Sequence, residues 1–368
     1  MLEKNSYPVV TIIPSLNPDD KLLKVVSKLF EIGFSDVIVI DDGSRAECQD
    51  IFAQLTGIPG CVVLHHDVNK GKGRALKTAF SYYLENYDLN NYFGVVTADA
   101  DGQHLPEDIL LTANNLISNN TPKTNLMALG TRDFNEEQVP FKSRYGNKIT
   151  TVTFKLLYGK WINDTQTGLR AISNDFVETC LNIPGERFEY EINMLIYSVL
   201  NKVDIEEAII QTVYFDDNRE THFHPIKDSI KIYKVMFASF LKFTCSGLLS
   251  TLVDQGLFAV LHKLIFAVIN NMVSIPVSAL IARICSSYLN YSLNRTVVFK
   301  SSTSSKKTIV YYYLLCAAQI TASIALVTLL NFITKIDASI LKLIVDTFLF
   351  FVSYRIQRKW VFKEEKEK

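Results

Sequence analysis

The sequence lacks several features that mark small secreted and nucleic-acid-binding proteins. Its six cysteines form no C-x-x-C pair and lie partly in apolar runs, which indicates neither a zinc ribbon nor a disulfide framework and favours a reducing compartment. It has no net charge, yet residues 1–235 hold 23 Lys and Arg against 32 Asp and Glu, and residues 236–368 hold 15 against 6. An acidic first part excludes nucleic acid as its partner, because phosphate backbones are bound by clustered cations.

The N-terminus also lacks a long apolar run, so we expect no signal peptide and a first part that starts on the cytoplasmic side. From Pro8 to about Val213, short β-branched runs such as 9–13 and 36–40 alternate with amphipathic stretches. This alternation predicts an α/β domain with a Rossmann-like, mostly parallel sheet and helices on both faces. Ligands of such sheets bind at the carboxyl ends of the strands.

After His224 the sequence is dominated by four apolar stretches, at 238–262, 275–297, 309–333 and 338–356. Each is close to the about 20 residues that cross a hydrocarbon core, so we predict four transmembrane helices. The alternative, a soluble helical domain, would have too little polar surface. Lysines and arginines follow the second and fourth stretches, which places both termini and the first domain in the cytoplasm, at the cell membrane.

These patterns divide the chain into four parts. We expect a first domain at 1–220, an interfacial amphipathic helix at 221–236, a membrane domain at 237–363 and a charged tail at 364–368. The segment 221–236 carries isoleucines and lysines in alternation, and a plain linker helix is the other interpretation of it. A unit of only four spans is compatible with a homo-oligomer.

The membrane part contains an internal repeat. Residues 290–300 align with residues 353–363 at an offset of 63, sharing Tyr, Arg, Val, Phe and Lys. Shared interfacial composition explains part of the match, but the common register favours two repeated helix pairs. The same offset aligns Arg283 with Asp346, and a lone charge inside a membrane costs several kcal/mol. We therefore predict that Arg283 and Asp346 form an ion pair.

The strongest chemical motif in the first part is a D-x-D sequence after an apolar run. Asp99 and Asp101, followed by Gly102 and Gln103, offer the oxygen ligands that a hard divalent cation prefers. A surface loop is the alternative for an isolated D-x-D, but its place after a predicted strand favours a metal site. His104 fits an ordinary loop histidine as well as a direct role.

Three other segments carry candidate binding residues. Asp41 and Asp42 suit hydrogen bonds to a base and to ribose hydroxyls, although a polar turn is the alternative. Lys72 and Arg74 open a glycine-containing helix whose N-terminus favours an anion. Arg132 adds a further cation after another apolar run. The spacing differs from G-x-x-x-x-G-K-[ST], so this is not a nucleotide-hydrolase loop.

Read in order, these groups resemble the motifs of glycosyltransferase family 2, and within it the dolichol- and polyprenyl-phosphate sugar synthases. The motifs are Pro14-Ser15-Leu16-Asn17, Asp41-Asp42-Gly43-Ser44, Asn69-Lys70-Gly71-Lys72-Gly73, Asp99 to His104 and Gly130-Thr131-Arg132. Arg144 to Asn147, Asp164 to Arg170 and Phe188-Glu189 match the same subgroup, so the resemblance covers about residues 8–235. The four-span part resembles the GtrA family. Pro18-Asp19-Asp20 departs from the pattern, which leaves the base and ribose contacts of that loop open.

The resemblance implies a GT-A fold that uses Mg²⁺ or Mn²⁺ and a nucleoside diphosphate sugar. Asp99, Asp101 and Gln103 would hold the cation, with Asp101 the acid on which catalysis depends most. Lys72, Arg74 and Arg132 would share the diphosphate charge, while Pro14, Asn17 and Asp41 or Asp42 would hold the nucleoside.

The resemblance also implies a polyprenyl phosphate acceptor, undecaprenyl phosphate in a bacterium, and inversion at the anomeric carbon. Arg144 and Arg170 would hold the acceptor phosphate, and Asp164 would position it. An alternative for Arg170 is a partly buried pair with Glu189. The membrane domain is expected to take part in flipping the product. Rival functions are a transporter or scaffold that only binds nucleotide sugar, and a transferase acting on another lipid, polysaccharide or protein.

Overall fold

The computed structural model describes residues 7–119, 125–134, 139, 141–211, 225–265 and 270–362. The chain forms two compact units, Met1–Val235 and Met236–Lys368. The expected beginning of the interfacial helix at 221–224 and the end of the chain at 363–368 lie outside the described residues.

The described part of the first unit forms a seven-stranded sheet covered by seven helices. The strands are β1 (Val9–Ser15), β2 (Val37–Asp41), β3 (Cys61–His65), β4 (Gly94–Thr97), β5 (Leu126–Arg132), β6 (Arg170–Ser173) and β7 (Asp204–Ile210). The helices are α1 (Asp20–Glu31), α2 (Gln49–Thr56), α3 (Lys72–Asn86), α4 (Pro106–Asn119), α5 (Phe141–Tyr158), α6 (Asn174–Cys180) and α7 (Glu189–Asn201). A short 3-10 turn, Ala46–Cys48, precedes α2.

The sheet has the order β3-β2-β1-β4-β6-β5-β7, and only β6 runs antiparallel to its neighbours. The strand order reverses direction at β1, so a crevice is expected beyond the carboxyl ends of β1 and β4. Because β6 is antiparallel, its first residue, Arg170, lies opposite Thr97 at the end of β4. The polar residues around 99 and around 168 therefore meet at one edge of the sheet. The predicted mostly parallel α/β fold is confirmed.

Helix α1 illustrates how the sequence pattern builds this core. Leu22, Val25, Val26 and Leu29 recur at the 3.6-residue period and are all buried. Burying each contributes about 1.5–3 kcal/mol. The Asp19 carboxylate caps the helix by accepting the Lys21 N–H at 2.9 Å, which fixes where α1 begins after the β1 loop.

The second unit consists of long apolar helices. They are α8 (Pro225–Val260, which begins in the first unit), α9 (Asn271–Leu293), α10 (Ser305–Thr334) and α11 (Ala338–Ile356). Among the described residues, three segments are long and apolar enough to cross a membrane: Ser229–Leu264, Asn271–Val298 and Ser305–Thr334. The fourth predicted span is the helix α11, which carries Lys342, Asp346 and Arg355. Helix α8 is continuous from Pro225 to Val260. It therefore contains both the part of the predicted interfacial helix from 225 onward and most of the first predicted span.

The repeat is visible in three dimensions. Both helix pairs end in a π-helical turn, Asn294–Val298 and Gln357–Val361, at the same offset of 63 residues. The equivalent rings of Phe299 and Phe362 stack with centroids 5.5 Å apart. The Asn294 side-chain amide donates to Gln357 Oε1 at 3.0 Å. The predicted pair of repeated helix hairpins therefore packs through equivalent residues.

The predicted ion pair between Arg283 and Asp346 is wrong. Arg283 Nη2 lies 3.1 Å from Asp254 Oδ2 on α8, whereas Asp346 Oδ2 accepts from Lys342 Nζ at 2.8 Å on its own helix. Asp346 also accepts from Ser323 on α10. The repeat aligned residues in sequence, but each charged side chain is satisfied within its own helix pair rather than across the repeat.

Candidate functional site

A cluster of charged side chains lies where β4 ends and α3 begins. Lys72, the first residue of α3, places its Nζ 2.6 Å from Asp99 Oδ1 and 2.9 Å from Glu191 Oε1 of α7. The side chain of Asp99 is 32% exposed, so one carboxylate of the cluster is reachable from solvent. Burial opposes charge on Lys72, but Asp99 and Glu191 outweigh it and raise its pKa. Lys72 is therefore a fixed cation between two carboxylates.

The D-x-D turn runs from Asp99 to His104 and includes Gly102, which has a φ of 74°. The Gln103 N–H donates to Asp101 Oδ1 at 3.0 Å, and the Asp99 N–H donates to Nδ1 of the buried His104 at 3.1 Å. His104 thus accepts a backbone hydrogen bond that fixes the turn. Burial lowers the pKa of His104, which keeps its imidazole neutral.

The pKa values of Asp99 and Asp101 are shifted in opposite directions. Partial burial disfavours ionisation of Asp99, but the nearby Lys72 charge outweighs it and lowers its pKa. Burial and, next, the negative charge of Asp99 raise the pKa of Asp101. Two carboxylates that repel each other in this way are stabilised by a bound cation.

The donor set fits a hard divalent cation. Asp99, Asp101 and Gln103 supply carboxylate and amide oxygens, which are the ligands that Mg²⁺ and Mn²⁺ prefer. Within the described part of the chain, no group of three or more His, Cys, Asp and Glu side chains is arranged to hold a metal alone. Substrate oxygens and water would have to complete the coordination, as is usual for Mg²⁺ bound with phosphates.

A loop that precedes β6 covers this cluster. The Thr97 hydroxyl donates to the Gly168 carbonyl at 2.8 Å, which holds the loop against the end of β4. A Cβ at Gly168 would lie 2.6 Å from Asp99 Oδ2 and 2.9 Å from Lys72 Nζ. An added Cβ would therefore displace the Asp99 carboxylate or the Lys72 ammonium. Neither Gly168 nor Glu191 was singled out for a role by the sequence reasoning, although the D-T-Q-T-G-L-R motif contains the glycine.

Arg132 and Asp164 form a bidentate pair beside the cluster. Arg132 Nε lies 2.6 Å from Asp164 Oδ2, and its Nη2 donates to Asp164 Oδ1 at 3.1 Å. The Asp164 carboxylate is fully buried and also accepts the Gln166 N–H. The structure thus ties the end of β5 to the loop that leads to Gly168, and it brings these two predicted site residues together.

Arg170 is the largest fully buried side chain in the described residues. Its Nε donates to the Thr167 carbonyl at 3.0 Å and its Nη1 to the Glu191 carbonyl at 2.7 Å. Burial lowers the pKa of Arg170. The alternative of an Arg170–Glu189 pair is wrong. Arg170 donates to main-chain carbonyls, whereas Glu189 Oε1 accepts N–H groups of the residues just before its own helix.

The edge of the crevice at the ends of β1 and β2 is built from two tied loops. Asn17, with a φ of 48°, follows Pro14 at the end of β1, donates its N–H to Ser44 Oγ and accepts the Arg45 N–H. Asp41 accepts from Ser44, Gln49 and His65. Burial opposes these hydrogen bonds, which together lower the pKa of Asp41. The β1 and β2 loops therefore form one braced edge.

Asp42 braces the glycine loop that leads into α3. Its Oδ1 accepts the Lys70 N–H and pairs with His66 Nδ1 at 2.7 Å, and its Oδ2 accepts the Gly71 N–H at 2.8 Å. Gly71 has a φ of 101°, and a Cβ there would meet the Glu186 carbonyl at 2.4 Å. Asp42 thus holds the backbone that positions Lys72.

The structure places the other two predicted cations, Arg74 and Arg144, on α3 and α5. Arg74 Nη2 donates to Glu186 Oε1 at 2.9 Å on an exposed face of α3. Arg144 lies in the first turn of α5, a helix that is tied to the Asp164 region because Asn147 Nδ2 donates to the Asn163 carbonyl.

Each of the two units contains a match to a family of known proteins. The glycosyl transferase family 2 model matches residues 10–178, and the GtrA/DPMS transmembrane domain model matches residues 242–362. The chain is a family 2 glycosyltransferase domain fused to a GtrA/DPMS transmembrane domain. It is therefore a sugar-transferring enzyme and a membrane protein with several transmembrane helices.

Relatives of this glycosyltransferase align with somewhat more than half of its chain. A UDP-N-acetylglucosamine--dolichyl-phosphate N-acetylglucosaminyltransferase of Methanococcus voltae is 29% identical over 224 residues, which cover 56% of this chain and 86% of the relative. Glycosyltransferase AglJ of Haloferax volcanii is 25% identical over 238 residues, covering 62% and 71%. The crystal structure of mannosyl-3-phosphoglycerate synthase from Rubrobacter xylanophilus is 16% identical, with a TM-score of 0.44 over 61% of this chain and 69% of that one.

Proposed function

We propose that this glycosyltransferase moves a sugar from a nucleoside diphosphate sugar to a polyprenyl phosphate at the membrane surface, with inversion at the anomeric carbon. The observation that carries the proposal is the Lys72–Asp99–Asp101 cluster at the β1/β4 crevice of a chain that also bears a GtrA/DPMS transmembrane domain. The relative from Methanococcus voltae is named for transfer from UDP-N-acetylglucosamine to dolichyl phosphate. UDP-N-acetylglucosamine is therefore the first donor to test.

We assign different roles to the D-x-D turn, to Lys72 and to the loops after β1 and β2. Asp99, Asp101 and Gln103 would hold Mg²⁺ or Mn²⁺, which neutralises charge that develops on the departing nucleotide. Lys72 already faces Asp99 and contributes a second positive charge beside the diphosphate. Asp42 holds the loop that positions Lys72, and the braced loops after β1 and β2 would receive the nucleoside.

The acceptor side is assigned to the Arg132–Asp164 region and to Arg144. A phosphate acceptor is an anion near neutral pH, so it needs a positioned cation more than a strong general base. Asp164 orients Arg132 through two hydrogen bonds, and we propose that this fixed geometry positions the acceptor phosphate. Arg170 is enclosed and bonded to carbonyls, so we assign it to holding the Thr167–Gly168 loop in place rather than to direct acceptor binding.

Positive residues at the ends of α9 and α11 support a cytoplasmic location for the catalytic unit. Arg295 and Arg358 lie in the two π-helical turns, and further lysines follow them. Cytoplasmic loops are enriched in such cations. We propose that the transfer takes place on the cytoplasmic leaflet.

The test is transfer of labelled sugar by full-length protein in membranes to polyprenyl phosphate. We expect a chloroform-soluble product that mild acid hydrolyses, formed by wild type and lost in Asp101→Ala. Asp50→Ala, which removes an exposed acid of α2, is the control and should retain transfer. If no common nucleotide sugar yields this product, the proposed reaction is incorrect.

A role for the membrane unit in flipping the product is a separate proposal. Asp254 is a buried ionisable group inside a candidate span. It pairs with Arg283 and accepts a hydrogen bond from the Ser286 hydroxyl. Ionisable residues inside a membrane usually have a functional role. In sealed vesicles, Arg283→Ala should leave synthesis intact and abolish the appearance of product on the opposite face. Unchanged translocation in that variant excludes this role for the pair.

A further inference from the structure

Glu207 on β7 contacts the residue that precedes Asp164. Its Oε1 accepts the Asn163 N–H at 2.8 Å, and its Oε2 accepts from the Asn163 side-chain amide at 3.0 Å. The two residues lie 44 positions apart, so this contact joins the edge strand of the sheet to the loop before β6. Because both oxygens of one carboxylate take part, the contact fixes the orientation of Asn163 as well as its position.

Glu207 also contacts the residue that precedes Arg132. The register partner of Glu207 on β5 is Leu129, so Thr131, two residues further along β5, lies on the same face of the sheet. The Thr131 hydroxyl donates to Glu207 Oε1 at 3.4 Å. One carboxylate thus contacts the chain neighbours of both Arg132 and Asp164, which form the bidentate pair described above.

The hydrogen-bonding groups around position 207 match a carboxylate. The Trp161 indole N–H, which can only donate, contacts Asn163 Oδ1 at 2.7 Å. The Asn163 amide nitrogen therefore faces Glu207, where it and the backbone N–H need two acceptors. A carboxylate offers an acceptor at both oxygens, whereas a glutamine amide would offer one acceptor and one donor.

The two members of the bidentate pair differ in exposure. The side chain of Asp164 is fully buried, while that of Arg132 is 23% exposed. A partly exposed guanidinium held by a buried carboxylate can contact an anion while its own orientation stays fixed. The orientation then depends on the backbone that carries the two side chains, and Glu207 contacts that backbone's neighbours on both sides of the pair.

We infer that Glu207 is a positioning residue for the Arg132–Asp164 pair. It acts through Thr131 and Asn163, so that the guanidinium faces the acceptor phosphate in one orientation. The inference rests on the proposed function, in which this pair positions that phosphate. It adds to the acceptor site a residue of β7, a strand that no motif of the sequence pointed to.

The test compares Glu207→Ala and Glu207→Gln with Glu206→Ala, which removes an exposed acid from the same strand. Sugar transfer by the full-length proteins is measured at varied polyprenyl phosphate and, separately, at varied UDP-N-acetylglucosamine. We expect Glu207→Ala to raise the acceptor KM about tenfold and Glu207→Gln about threefold, with the donor KM within about twofold of wild type. Glu206→Ala should match wild type in both constants.

A double-mutant cycle with Arg132→Lys separates positioning from general loosening of the fold. A lysine cannot form the bidentate contact with Asp164, so the geometry that Glu207 supports is already lost in that background. We expect Glu207→Ala to raise the acceptor KM there by less than about twofold, because the two changes remove the same arrangement. A full tenfold rise in both backgrounds overturns the inference, and so does an equal rise in the donor KM.

Thermal unfolding of each variant is followed in parallel. If Glu207→Ala fails to fold, Glu207→Gln gives the same comparison, since it keeps the size of the side chain and should lose its effect on the acceptor KM in Arg132→Lys. Wild-type transfer together with an acceptor KM for the Glu207 variants equal to that of Glu206→Ala refutes the positioning role alone. Absence of transfer by the wild type refutes the proposed function, and the inference with it.

Discussion

In the first unit, ionisable groups gather at one edge of a sheet, whereas the second unit joins its repeated helix pairs through neutral amides and aromatic rings. Lys72 contacts both Asp99 and Glu191 beside the crevice. At the centre of the repeat, Asn294 donates to Gln357, and Phe299 stacks on Phe362. The first arrangement has no internal symmetry, while the second uses equivalent residues from two copies of one motif.

This difference distinguishes a cluster of charges that can bind a ligand from a neutral packing contact between helices. Closely spaced carboxylates are destabilising unless cations accompany them, so a cluster such as that around Asp99 is expected where a charged ligand binds. Neutral side chains that satisfy each other hold helices together in lipid without a charge to desolvate. Changes in the first unit should therefore reduce catalysis more than stability, and changes at the repeat should do the reverse.

The largest effect should follow removal of divalent metal. With EDTA, the proposed cation would no longer relieve the repulsion between Asp99 and Asp101 or neutralise the charge of the proposed diphosphate donor. We expect sugar transfer to fall by about a thousandfold or more and to recover on addition of Mg²⁺ or Mn²⁺. Transfer that persists at full rate in EDTA after extensive dialysis would show that Lys72 and the neighbouring cations suffice without metal.

Gly168→Ala tests the close approach over the cluster. Its Cβ would lie 2.6 Å from Asp99 Oδ2, so either the carboxylate or the loop must shift. We expect transfer to fall by up to about a hundredfold, with little change in the thermal unfolding temperature. Gly247→Ala, where no atom lies within 4 Å of the added Cβ, is the control and should retain activity. Equal activity of the two variants would remove Gly168 from the site.

Lys72→Met separates the observed contact of this lysine with Asp99 from its proposed role as a cation for the donor. Without its ammonium, Asp99 Oδ1 loses a partner at 2.6 Å and is freer to bind metal. We expect transfer about tenfold slower, but tighter Mn²⁺ binding by the donor-free protein, measured by electron paramagnetic resonance. Lys24→Met, on the exposed face of α1, should change neither quantity. Weaker Mn²⁺ binding in Lys72→Met would contradict this account.

Much of the fold followed from the sequence because its signals are local. Alternating strand and helix patterns and the four apolar stretches depend on residues close together in the chain, and the repeat is found by comparing two such local segments. The partners of side chains depend on tertiary packing, which no local pattern reports. Glu191 reaches Lys72 from α7, 119 positions along the chain, and the antiparallel insertion of β6 brings Arg170 beside Thr97.

The Arg283 prediction failed for the same reason. An offset of 63 residues aligns Arg283 with Asp346, but the repeat specifies equivalent positions, not contacts. The structure instead pairs Arg283 with Asp254 on the preceding helix. By contrast, Asn294 and Gln357 are both equivalent and in contact. Equivalent residues meet only where the two copies face each other.

The smallest effect is expected at that contact, and a double-mutant cycle measures it. Asn294→Ala and Gln357→Ala each remove one side of the 3.0 Å hydrogen bond. Unfolding in mixed micelles should give a coupling free energy of about 0.6 kcal/mol, the usual size for side-chain hydrogen bonds between membrane helices. Both single variants should retain sugar transfer. A cycle of Asn294→Ala with Thr321→Ala, whose hydroxyl bonds its own helix, should show no coupling. Coupling of equal size in the two cycles would mean that the amides do not hold the repeat together, and the contrast between the two units would then rest on the aromatic rings alone.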